Sequence, residues 1–130
     1  MEYFGNQQTI NAFSGVALTS AYTDNRFTFD AGGFTKLTLD TSYAMGATES
    51  ANTLQFQLEH SPDNGVTWYS LVIDTTDTVS TIVAREWTMA PANLNVIIDI
   101  AYKKMRLSIK ETGVITNAGT ASVSLTLSGL

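Results

Sequence analysis

Apolar and polar residues alternate with a period of two along most of this chain, and helical periodicity is nearly absent. Leu54, Phe56 and Leu58 fall on one parity and Gln55, Gln57 and Glu59 on the other, the pattern of a strand with one buried face. Leu37 and Leu39 alternate with Lys36, Thr38 and Asp40, which predicts a strand over about residues 34–41, entered from a Gly32-Gly33 turn. Short candidates cover 16–22 and 25–30, with Phe27 and Phe29 sharing a parity in the second. Met105, Leu107 and Ile109 alternate against Lys104, Arg106, Ser108 and Lys110, and the last strand sets Val123, Leu125 and Leu127 inward. Residues 42–52 read as a loop, and 79–89 as a long run rich in β-branched residues. Pro91, with Asn93 and Asn95, separates that run from Val96-Ile97-Ile98-Asp99-Ile100 and leaves room for a single helical turn. About eight strands punctuated by turns predict an all-β fold with little or no helix. An antiparallel β-sandwich of jelly-roll topology is the expected architecture.

The sharpest local signal lies between two of these runs, at Ser61-Pro-Asp63-Asn-Gly65-Val-Thr67-Trp68. An Asp63 carboxylate accepting backbone amides further along, and a Gly65 free to take positive φ, make a tight turn that fixes strand register. The stretch resembles the Asp-box of sialidases and related β-propellers at Ser61, Asp63, Gly65, Thr67 and Trp68. In those families the motif is a structural staple away from the active site. One copy in 130 residues excludes a complete propeller, which needs several blades of roughly 40 residues or more.

With 130 residues, one domain can bury a sizeable core unaided. The absence of cysteine removes disulfides, thiol nucleophiles and cysteine-ligated zinc. A formal charge of −5 and a pI near 4.5 argue against a nucleic-acid partner. The first residues lack the basic start and apolar core of a secretion signal, and no segment approaches the roughly 20 apolar residues that span a bilayer. The expectation is a chain complete from Met1 to Leu130, made in a cytoplasm and without a membrane partner.

Catalytic and metal sites are hard to assemble. His60 is the lone histidine and adjoins Ser61, whose side chain points to the opposite face of a strand. Asp74 and Asp77 lie in a Thr-rich turn, where Asx-turn roles are commoner than calcium ligation. No phosphate loop or dinucleotide fingerprint is present. No enzyme activity, cofactor or metal is expected.

Three features suit binding instead. Residues 1–15 are polar and punctuated by Gly5 and Gly15, and read as an extended arm ahead of a single sandwich domain at 16–130. Either the arm is disordered or Tyr3, Phe4 and Phe13 anchor it on a neighbouring subunit. Arg85 and Trp87 share a parity: Trp87 is either core with Arg85 at a rim, or both face outward as interface anchors. Lys103, Lys104 and Arg106, with Lys110, form either a charge-protected edge strand or a docking patch for an acidic surface.

The order of these features is similar to small β-sandwich proteins of tailed-phage virions, especially capsid decoration or cement proteins. The likeness rests on the 61–68 hairpin, on Tyr102-Lys-Lys-Met-Arg106-Leu-Ser-Ile-Lys-Glu-Thr-Gly113, and on the Ala-Gly-Thr turn before the closing Ser/Val/Leu strand. It spans about residues 50–130 and implies a non-enzymatic virion part whose partner is the major capsid protein. It also implies self-association, with a trimer favoured over a dimer. The alternative is a carbohydrate-binding module or tail adhesin in which Trp87, Tyr43 or Tyr69 stacks on sugar rings.

Overall fold

A computed structural model describes residues 7–70, 72–74, 82–84, 86–100 and 103–129. Its strands in chain order are β1 (Gln7–Ala17), β2 (Arg26–Asp30), β3 (Lys36–Ala44), β4 (Thr53–Ser61), β5 (Tyr69–Ser70), β6 (Val72–Asp74), β7 (Ile82–Ala84), β8 (Glu86–Met89), β9 (Ala92–Asp99), β10 (Lys104–Thr112) and β11 (Thr120–Ser128). One 3-10 turn, Tyr22–Asp24, is the helical element among the described residues. It lies ahead of β2, whereas the sequence left room for a turn near Pro91; there the chain passes from β8 to β9 directly.

All pairings are antiparallel and form two main sheets, β1-β11-β3-β9 and β2-β10-β4-β5, with β8 also on β4. The pairs β1·β11, β2·β10, β3·β9 and β4·β8 nest inside one another, so the chain is one long antiparallel hairpin rolled into two layers. That is the jelly roll, and β5 to β7 are an insertion between its fourth and fifth long strands. Periodicity sets which face closes inward. Leu37, Leu39 and Tyr43 of β3 and Leu125 and Leu127 of β11 meet Leu54, Phe56 and Leu58 of β4 and Met105, Leu107 and Ile109 of β10, all buried.

Three expectations change here. Residues from Gln7 onward are strand β1 on β11, and Phe13 is 6% exposed within the core, so it is no anchor for a neighbouring subunit. Its small polar neighbours hid a strand because β1 is an edge strand with register breaks, which blur the alternation. Tyr3 and Phe4 lie outside the described residues. The basic run is not an edge either: β10 sits between β2 and β4, and its cations stand on the solvent side of a central strand. The loop expected at 42–52 begins later, because β3 continues to Ala44.

Candidate functional site

The 61–68 turn is built as its residues require. Ser61 Oγ donates to Asp63 Oδ1 at 2.8 Å and accepts the Gly65 N–H at 2.7 Å, while the same Asp63 oxygen accepts the Thr67 N–H at 2.7 Å. Gly65 sits at φ +96° after Asn64 at +59°, a left-handed pair that a β-branched residue would resist. The Thr67 backbone bond, then the Thr67 and Ser61 side chains, hold the Asp63 carboxyl below its ordinary value of 3.8. The folded form therefore favours the carboxylate. This contribution to stability is present above the ordinary carboxyl range and is lost as pH falls through the depressed value. Asp63→Asn is expected to melt at a lower temperature than the parent at neutral pH, with the gap closing as pH falls through the depressed carboxyl range; thermal melts by circular dichroism across pH check this.

The turn also positions a cluster on the outer face of the β2-β10-β4 sheet. β4 and β5 pair as Glu59↔Ser70 and His60↔Tyr69, and the next step of that register brings Trp68 beside Ser61. Trp68 there covers Arg106, whose Cζ lies 4.4 Å from its ring centroid, and Arg106 Nε and Nη2 both reach Glu59 Oε1 at 2.9 Å. The indole and the strands shield this pair, leaving Glu59 buried. Lys104 lies 3.5 Å from Asp30, and Lys110 stands over the Tyr22 ring at 4.5 Å. Lys103 is exposed at the start of β10. Three of these four cations are therefore engaged by neighbours within the fold, and Lys103 stands exposed beside them.

Trp87 faces the core side. It pairs with Phe56 across β8·β4 and stacks on that ring at 4.8 Å and 9°. Arg85 and Asp77 lie outside the described residues, while Asp74 closes strand β6. Of the aromatic residues expected to stack on sugars, Trp87 and Tyr43 are turned inward; Tyr69 is 52% exposed, with its ring 5.9 Å from that of His60. Among the described residues no group of three or more acidic or histidine side chains could hold a metal ion.

Sequence reasoning missed a polar staple across the sandwich. Glu111, 1% exposed, accepts the Tyr43 hydroxyl on Oε2 at 2.6 Å and the Gly119 N–H on Oε1 at 2.9 Å. It shares the inward parity of Met105, Leu107 and Ile109, and that parity was the available signal. Burial first, and then the bond to Glu111, push the Tyr43 hydroxyl above its ordinary range. Gly119 is needed there because a Cβ would lie 2.6 Å from Glu111 Oε2 and 2.7 Å from the Ala44 carbonyl. Beside it, Glu49 Oε1 accepts the Thr116 and Asn117 amides and fastens the loop after β3 to the loop before β11.

The outer face of the β1-β11-β3-β9 sheet is open. It carries a shallow concavity of about 370 Å3, lined by short polar side chains including Asn11, Asp40, Ser42, Asn93, Asn95 and Ser124. Asn95 Nδ2 donates to Asp40 Oδ1 at 2.6 Å, which engages the one carboxylate among them. Ser122 Oγ accepts the Gly15 N–H at 2.8 Å and ties β1 to the same face. Such a surface offers hydrogen-bond donors and acceptors in register with the pleat.

No family model matches the chain, and a search of curated proteins finds no match.

Proposed function

We propose that this chain is a non-enzymatic structural protein of a tailed-phage virion, a capsid decoration protein that self-associates and bridges subunits of the major capsid protein. The observation that carries the reading is the outer face of the β1-β11-β3-β9 sheet, shallow and rich in Ser, Thr and Asn side chains. Short side chains lose little rotamer freedom when covered, so the face suits packing against another protein surface. The resemblance in the order of motifs supplies the virion context. The mechanism is multivalent: once one copy of an oligomer is seated, the others bind their capsid sites at high effective concentration, and the shell resists expansion through many modest contacts.

Cosedimentation with shells stripped of this protein tests the docking face. Saturable binding is expected, weakened at least about tenfold by the paired change Ser42→Arg and Ser124→Arg, which puts bulk and charge on the sheet face without touching the core. Undiminished binding by a folded double variant would remove the face from the account. The carbohydrate reading gains nothing from Trp87 or Tyr43, which are both turned inward.

A further inference from the structure

The two edges of the four-stranded sheet are finished differently. β1 carries register breaks between Asn11 and Phe13 and between Phe13 and Val16, with Gly15 at φ +57°. Such bulges keep a natural sheet edge from templating another strand. β9 has no such protection: its pairing with β3 runs unbroken from Asp99 to Ala92, it contains no proline, and Asp99 is its one charged residue. Among the described residues it pairs with β3 alone, and it exposes Ile97 at 65% and Leu94 at 39%.

The free backbone groups can be assigned. The Ile100 N–H bonds the Thr35 carbonyl, in register with the β3·β9 ladder. By the alternation of an antiparallel pair, Ile98, Val96 and Leu94 also turn their amides and carbonyls to β3. Those of Asn93, Asn95, Ile97 and Asp99 are thereby left along the outer edge.

We propose that β9 is a self-association edge, on which β9 of a second copy pairs antiparallel about a two-fold axis through Val96, joining the two four-stranded sheets into one. This register sets Asn95 against Ile97 of the second copy and Asn93 against Asp99, so each outward amide and carbonyl finds a partner. On the inner side Leu94 meets Ile98 of the second copy, and Val96 meets its equivalent, which covers the exposed leucine. Asp99 faces an asparagine, so no carboxylate opposes another, and its ion pair with Lys36 at 2.9 Å is left in place. Moving the axis to Asn95 would set Asp99 against Pro91, which has no N–H to give. An isologous pair closes at two copies, so this surface makes a dimer and not the trimer favoured from the sequence resemblance. The inference stands on the edge alone and is independent of any virion role.

Light scattering of the purified chain over a dilution series tests it in the absence of capsid. The expected result is a species of twice the 14.1 kDa chain mass that dissociates on dilution. Ile97→Pro removes an edge donor without touching the β3 ladder and is expected to raise the dimer dissociation constant about 30-fold. Ile97→Lys is the gentler second variant and is expected to shift the equilibrium in the same direction. Hydrogen exchange is expected to show the Asn93, Asn95, Ile97 and Asp99 amides losing protection in step with dissociation. A parent chain that stays monomeric across the series, a trimer, or a dimer unaffected by both folded variants would overturn the proposal.

Discussion

Phe56→Ala lowers the stability of the fold by about 4 kcal/mol, the expected cost of emptying a fully buried aromatic site. Phe56 is 1% exposed, lies on the inner face of the central strand β4, and carries the stacked indole of Trp87 on one side. Deleting the ring removes its transfer free energy, leaves a cavity that two hydrogen-bonded layers cannot close, and strips Trp87 of its packing partner. β8 is then weakened as well, because its pairing with β4 is short and Trp87 and Met89 are its two contacts with the core. In a domain of this size the loss corresponds to a fall of about 15 °C in melting temperature. Phe56→Leu, which keeps much of the volume, is expected to lose less than half as much. Chemical denaturation with both variants measures this; a Phe56→Ala cost below about 1 kcal/mol would mean that the rings do not pack as described.

Glu111→Ala has the second large effect, about 3 to 4 kcal/mol, for a different reason. The carboxylate accepts from the Tyr43 hydroxyl and the Gly119 amide inside the sandwich, and alanine leaves both donors buried without partners. Glu111→Gln keeps one acceptor and the shape, and is expected to cost about 1 kcal/mol. Tyr43→Phe removes a single donor and falls between the two. A double-mutant cycle between Tyr43→Phe and Glu111→Gln is expected to give a coupling energy of about 1 kcal/mol or more. Additive changes would show that the two side chains do not act as a unit.

These costs fall where the sequence was easiest and hardest to read. The strands with a wet face, β3, β4, β10 and β11, were legible because their alternation is nearly unbroken and each has charged or hydroxyl residues on the outer parity. The jelly roll followed from strand count and turn spacing. β1 was not legible: its breaks at Asn11/Phe13 and Phe13/Val16 shift parity midway, and an edge strand needs only a few inward residues. β9 was read short because Asn93 and Asn95 resemble a turn composition, although they occupy the outer face of a regular strand.

The turn at 61–68 was legible in its Asp63 acceptor and its Gly65 conformation, since that chemistry is local, while the two bonds of Ser61 Oγ emerge from the structure. The fate of the basic residues was not, because Arg106, Glu59 and Trp68 are far apart in sequence and meet only once the register is set. Trp87 could be read either way from its parity, and its stacking on Phe56 places it on the core side. The inter-sheet staple depends on a glutamate at the end of an apolar parity, where sequence alone suggests an exposed strand end.

The proposed virion role is tested most directly by quantitative mass spectrometry of purified virions, with the major capsid protein as internal standard. The expected result is this chain at a fixed ratio to the capsid protein, retained through density-gradient purification and released before the capsid protein under mild denaturant. Its absence from virions purified to constant composition, with the chain abundant in the soluble lysate, would contradict the account.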